Sequence, residues 1–358
     1  MKTFDSVFPR RIVLTTKYTF FFCSNINIYA MDPSIGKGPV TNNATHPEAI
    51  ERGGLTHSAL EALLVDPGTL AGHLIPGLLF MFFGLFWTYS ILHKYHVARR
   101  GAILLGKGSY KSNYRNTLFS TYYACHCTNV SLDAYFLFIC TSLGFIGEFI
   151  AGFRGGEFVV MSNTHHMCMY FFYGLTAFIH ILMCRKHPIP ADSDYATMIV
   201  ACIVEALLFQ GHINGRGPIN AKIHMLLVYT IMVTVGFLVL EMAARRNVLI
   251  SLARASSILV QGQWFCTGGF ILYPPSFMPT WDDNSRPQMA LVTTLFAVNI
   301  ALAIIGTLLI NYLIFLRVNC MDAQTISRIL NKSDIRSQNS LPNIDPGKPL
   351  ISDSDDEC

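Results

Sequence analysis

Seven stretches of this chain are each long and apolar enough to cross a lipid bilayer, and no other feature limits its folds as much. In hydrocarbon every backbone N–H and C=O must be satisfied within the protein, so a spanning segment is a helix of about 20 mostly apolar residues. The stretches run approximately over Leu70–Leu92, Asp133–Phe153, His165–Met183, Tyr195–His212, Ile223–Met242, Ser256–Tyr273 and Met289–Phe315. The fourth and sixth are the shortest, at about 18 residues against the usual 20. Composition agrees, since 52% of the residues are hydrophobic and only 13% charged, where a soluble domain carries roughly 25% charged. The expectation is an all-α integral membrane bundle of about seven transmembrane helices over 70–316, with a polar irregular region at 1–69 and a disordered tail at 317–358.

The Lys and Arg content of the short connections gives the orientation. The segment after the first helix carries Lys94, Arg99, Arg100, Lys107, Lys111 and Arg115, and later loops on that side carry Arg185, Lys186, Arg245, Arg246 and Arg254. Opposite them lie Arg154, Arg216, Lys222 and Arg286. The richer side is expected to be cytoplasmic, with the N-terminus outside or lumenal and the C-terminus cytosolic. A net charge of +4 spread over short segments is no nucleic-acid footprint. Membrane lipids and other membrane proteins are the expected partners. The ten cysteines lack the spacing of a secreted disulfide scaffold and read as reduced thiols.

The apolar run Phe20–Cys23 is too short to span, and Met31 is an alternative start. Asn43-Ala44-Thr45 and Asn129-Val130-Ser131 match the glycosylation pattern, the second too near a helix to serve. Cys125 and Cys127 beside the second helix are expected as a reduced pair, with palmitoylation as the alternative. The acidic end from Ser352 is expected to solubilise the tail; phosphorylation of Ser352 and Ser354 as a sorting switch is the alternative. Gly147, Ala151 and Gly155 recur every four residues, a spacing that lets a neighbouring backbone approach closely. Trp264, Tyr273 and Trp281 suit membrane interfaces.

With this topology the histidines fall at one level. His73 opens the first helix, His165 and His166 the third, His224 the fifth, and His212 closes the fourth, all at the non-cytoplasmic side. Glu148 lies near the outer end of the second helix. Glu205, two turns before His212, shares its face about 10 Å away along the axis and so falls near mid-membrane. An ionisable group at that depth faces the bundle interior, a partner or a water-filled cavity. Imidazole and carboxylate are ligands for transition metals, and imidazole for haem. Three readings stay open for His73, His165, His166, His212, His224, Glu148 and Glu205: interfacial side chains satisfied by water and head groups, ligands of a transition metal or one haem, or a proton or substrate pathway. Two stacked haems are disfavoured. His166 and His180 are 14 residues apart and within about 40° of each other, but His73 and His93 on the first helix point to nearly opposite faces.

Several runs resemble the transmembrane protein 45 family, a group defined by a domain of unknown function. They are Gly72-His73-Leu74-Ile75-Pro76-Gly77 with Phe83-Gly84-Leu85-Phe86-Trp87; His165-His166-Met167-Cys168-Met169-Tyr170-Phe171-Phe172-Tyr173-Gly174-Leu175; Val204-Glu205-Ala206 with His212; Arg246-Asn247-Val248-Leu249; Ser256-Ser257-Ile258-Leu259-Val260-Gln261-Gly262-Gln263-Trp264-Phe265; and Leu272-Tyr273-Pro274-Pro275-Ser276 with Trp281-Asp282. Together they cover about residues 70 to 320. The resemblance implies a multi-pass protein of Golgi, endosome, lysosome or cell surface, and it brings no settled activity. This chain departs from the family's His-x-His-Gly-Arg pattern, having Asn214 in His212-Ile213-Asn214-Gly215-Arg216; asparagine is a poor zinc ligand.

Three function classes follow. The first is a non-enzymatic endomembrane protein acting in trafficking or signalling through lipid or protein contacts. The second is a metal- or haem-dependent membrane enzyme or redox protein, with Glu148 or Glu205 as ligand or general base. The third is a proton-coupled transporter titrating at Glu205, although no inverted repeat supports it. A seven-helix receptor fits the topology but lacks the Asp/Glu-Arg-Tyr and Asn-Pro-x-x-Tyr signatures.

Overall fold

A computed structural model describes residues 69–106, 114–119, 131–154, 156–160 and 162–340. Phe20–Cys23, Met31, Asn43, Cys125, Cys127, Asn129, Gly155, Ser352 and Ser354 lie outside the described residues. The elements in chain order are α1 (Leu70–Leu105), α2 (Leu132–Ala151), the strands β1 (Phe153–Arg154) and β2 (Glu157–Phe158), α3 (Ser162–Cys184), α4 (Ser193–Gly211), α5 (Pro218–Ala243), α6 (Val248–Leu272), α7 (Arg286–Asn319) and α8 (Ala323–Ser340). The strands form a small antiparallel hairpin pairing Phe153 with Phe158, a detail the all-α expectation did not include.

Six of these helices, α1 to α5 and α7, are long and apolar enough to cross a membrane by length and composition. The expected sixth span is present as α6 but is less apolar, because Gln261, Gln263 and several Ser and Gly residues interrupt it. Its packing explains this. Ser257, Gln261, Gly262 and Trp264 are buried, so the polar positions of α6 pack against protein. Gln261 donates to Thr234 Oγ1 of α5 (2.6 Å), and Thr234 donates to Ser257 Oγ (2.9 Å). Such pairs hold polar side chains where water is scarce. Trp264, expected at an interface, is fully buried and donates to the Ile223 carbonyl (2.9 Å). In contrast, α7 exposes Leu291, Leu302, Ile305, Leu309 and Leu313, an apolar face that only lipid or another apolar surface can cover. The protein is a multi-pass integral membrane protein.

Three helix ends differ from expectation. The 36-residue α1, begun by Thr69 Oγ1 accepting from the Gly72 N–H (3.0 Å), continues past Leu92. At 1.5 Å per residue it is about 54 Å long, well beyond a hydrocarbon core of about 30 Å. Its extension is covered by α8, whose Ile326 and Leu330 pack with Val97, Ile314 and Val318, so helix occupies residues 323–340 of the expected tail. The third difference is α6, which starts at Val248, where the Asn247 side chain accepts from the Leu249 N–H (3.1 Å). Arg254 is therefore inside a helix and fully buried, where a loop position had been expected.

Close backbone approach occurs, but elsewhere than predicted. Gly147 has open space where a side chain would be, and Ala151 is exposed. The close contact is instead between α1 and α6. A Cβ on Gly84 would lie 2.9 Å from the Leu259 Cα and N, and one on Gly77 would lie 3.0 Å from the Gly262 carbonyl oxygen. Gly84→Val is expected to lower stability by about 1–3 kcal/mol through overpacking, while Gly147→Ala should be close to neutral. Thermal unfolding of both variants in detergent checks this pair of outcomes.

Candidate functional site

Local capping places the histidines. The N–H of Ile219, in the first turn of α5, donates to Asp283 Oδ1 (3.1 Å), which seats the helix that carries His224. On α6, Gly269 leaves room for His73, whose Cβ would be 2.8 Å from any Cβ placed there. His212 sits at the C-terminal cap of α4, its N–H bonded to the Leu208 and Phe209 carbonyls.

The rings assemble as a chain across four helices. Ring centroids lie 6.3 Å apart for His73 and His224, 6.4 Å for His224 and His212, 5.6 Å for His212 and His166, and 4.8 Å for His212 and His165. His166 Nδ1 lies 3.3 Å from Glu148 Oε1. Five histidines and one of the two carboxylates expected here therefore do come together. Glu205 does not join them directly. It is 1% exposed, deeper in the bundle, and accepts a 2.6 Å hydrogen bond from the Tyr173 hydroxyl, which also contacts Cys202 Sγ at 3.5 Å.

The hydrogen bonds orient the rings. A carbonyl oxygen only accepts, so a ring nitrogen facing one must carry the proton. Nδ1 of His73 faces the Thr69 carbonyl (3.1 Å), that of His224 the Asn220 carbonyl (2.9 Å), and that of His212 the Leu208 carbonyl (3.1 Å). Each neutral ring then presents a bare Nε2. His166 has the Glu148 carboxylate beside it as a charged neighbour. His165 is the exception. Its Nδ1 lies 3.1 Å from His212 Nδ1, so it accepts from His212 and carries its own proton on Nε2. Among the described residues, no three His, Cys, Asp or Glu side chains are grouped so as to hold a metal ion.

His180, considered above as a haem partner for His166, belongs to the opposite end. Its Nδ1 meets Asp194 Oδ2 (3.0 Å) and its Nε2 meets Ser131 Oγ (2.9 Å), which engages both nitrogens. At that end sequence reasoning missed a second constellation. Glu241 of α5 pairs with Arg254 of α6, both side chains essentially unexposed. The Asn116 side chain donates to Glu241, Trp87 Nε1 donates to Asp133 (3.0 Å), and the Arg254 guanidinium lies over the Trp87 ring at 5.1 Å. Arg245 likewise pairs with Asp192 and covers Tyr195 at 4.3 Å. The available signal was Glu241 and Arg254 close together in sequence, both in apolar surroundings; Arg254 had been counted only as a loop charge.

Residues 192–313 match DUF716, a family of unknown function. This match covers α4 to most of α7, hence His212, His224, Glu205, Glu241 and Arg254. The chain is also similar to transmembrane epididymal protein 1 of Rattus norvegicus, 22% identical over 238 residues, which is 64% of this chain and 75% of that protein. Transmembrane epididymal protein 1A of Mus musculus is 21% identical over 235 residues, with the same coverage. For the human transmembrane epididymal protein 1 the values are 22% over 143 residues, 39% of this chain and 52% of that protein.

Tyr173→Phe removes the hydrogen bond to buried Glu205 while keeping the ring. The expected loss is about 1–3 kcal/mol, the range for leaving a buried polar group unpaired. In the Glu205→Leu background the same substitution should cost much less, and a double-mutant cycle on thermal stability measures the difference.

Proposed function

We propose that this chain is an endomembrane protein of the transmembrane protein 45 kind, acting in trafficking or signalling, whose histidine end responds to protons. The N-terminus and the histidines face the lumen or exterior and the C-terminus faces the cytosol, in keeping with the Lys- and Arg-rich connections at the other end. The observation that carries this reading is the packing of five imidazoles from four helices into one chain of neighbouring rings.

Imidazole changes charge between about pH 5 and 8, the span over which endomembrane lumens and the cell exterior differ. Neutral rings pack and share protons, as His212 and His165 do. Two imidazolium rings at 5.6 Å repel by up to about 3 kcal/mol at an effective dielectric of about 20, less after solvent screening. Arg216, near His73 and His224, adds to the repulsion. The unfolded chain takes up the same protons without it, so stability is lost as pH falls through the imidazole range. Loosened packing at the lumenal end would then alter how the bundle meets lipid or a membrane partner.

A second reading, a bound transition metal or haem, draws on the bare Nε2 atoms of His73, His212 and His224, and it requires the rings to move closer, since no three ligand side chains are grouped to hold a metal ion among the described residues. Histidines that bind metals are commonly oriented in this way, by a hydrogen bond at the other ring nitrogen.

One preparation tests both readings. For the full chain in detergent, melting temperature should fall by several degrees between pH 7.5 and 5, and by less than half as much in a His166→Gln, His212→Gln double variant. Equal pH dependence in the two proteins overturns the proton reading. Stoichiometric metal or a haem band, lost in the variant, favours the cofactor reading in its place.

A further inference from the structure

Where α7 runs beside α1, it exposes Ile305, Leu309, Leu313 and Leu316 along one side. At 1.5 Å per residue this strip is about 16 Å long, about half of a hydrocarbon core of about 30 Å. It is as long as one leaflet is deep, and its far end changes chemistry. Arg317 follows Leu316 directly and is exposed, as is Arg99 of α1, and Arg100 is half-buried. The two helices exchange arginines: Arg317 Nη1 donates to the Tyr89 hydroxyl (3.1 Å), and Arg100 Nη2 donates to the Asn319 carbonyl (3.4 Å). A guanidinium has five N–H donors, so each keeps most of its own unused, and Arg100 Nε has no partner within the protein. Among the described residues none of the three arginines pairs with a carboxylate. Asp322, the acid nearest to Arg317 in sequence, is engaged by Thr325 at the start of α8.

We infer that this edge between α1 and α7 holds an anionic phospholipid, its acyl chain along the α7 strip and its acidic headgroup against Arg317, Arg100 and Arg99. Each part of the ligand answers a feature of the surface. An apolar strip one leaflet deep matches an acyl chain, and three cations without a carboxylate at its end match a net negative headgroup. Phosphatidylcholine does not supply that charge, because its ammonium cancels its phosphate. A soluble anion would meet the arginines but leave the strip uncovered. Guanidinium also suits the chemistry, since its parallel N–H groups meet two oxygens of one phosphate or carboxylate. The leaflet is the cytosolic one under the orientation proposed above, where acidic lipids collect around basic residues at helix ends; the site itself does not depend on that orientation, nor on the proton response of the histidines. A lipid seated there would bind α7 to α1 along an edge where α7 is otherwise exposed.

The full chain in phosphatidylcholine nanodiscs carrying rising fractions of phosphatidylserine tests the inference. Its melting temperature should rise saturably with phosphatidylserine, and inorganic phosphate at matched ionic strength should not reproduce the rise. An Arg100→Gln, Arg317→Gln double variant should need about tenfold more phosphatidylserine or more to reach half of the effect; if it fails to fold, Arg99→Gln is read in its place. The control is an Arg185→Gln, Lys186→Gln double variant, which removes two exposed charges from the end of α3, where Arg185 bonds Tyr135 of α2; it should leave the midpoint nearly unchanged. Melting that ignores phosphatidylserine, an equal rise with inorganic phosphate, or an equal loss in the control variant overturns the site.

Discussion

The ion pair between Glu241 and Arg254 is the interaction on which the packing at one end depends. Both side chains are withdrawn from solvent, and a buried charge deprived of its partner costs about 3–5 kcal/mol. The pair locks the end of α5 to the start of α6. Through Asn116 it also fixes the segment 114–119, whose backbone is held again by the Asn116 N–H donating to the Arg245 carbonyl (2.8 Å). The Trp87 ring over the guanidinium adds α1, and its Nε1 adds Asp133 of α2. Four helices thus meet around one pair of charges.

The two ends of the bundle carry different chemistry. The Arg254 end is built around two ion pairs, Glu241 with Arg254 and Asp192 with Arg245, beside the His180–Asp194 contact. The histidine end is built from groups that are neutral or charged according to pH, held by weaker and partly exposed contacts such as that between His166 and Glu148. Glu205 and Tyr173 lie between the two.

Much of this was legible in the sequence because apolar length is a strong signal. Every expected span is helical, and five histidines placed at one level by topology alone do meet. Other features were hidden for physical reasons. The start of α6 was placed late because a helix that packs on protein, not lipid, need not be apolar, and charges such as Arg254 then read as loop. The stripe of Gly147 and Ala151 was misread because spacing does not say which face a helix turns inward, whereas Gly77, Gly84 and Gly262 do face a partner. The split between Glu205, bonded to Tyr173, and Glu148, beside His166, depends on contacts between helices that no single segment encodes. The helix at 323–340 was hidden by its polarity, for only a few of its residues, such as Ile326 and Leu330, pack on the bundle.

The central claim is that the histidines form one oriented cluster and are not separate interfacial side chains. Nitrogen NMR of the full chain labelled at the histidine ring nitrogens, recorded near neutral pH and assigned by single substitutions, tests it most directly. The expected forms are Nδ1–H for His73, His212 and His224 and Nε2–H for His165, with a coupling across the bond between His212 and His165. Five rings in the Nε2–H form usual for free histidine, each exchanging with water as an isolated side chain would, contradict it.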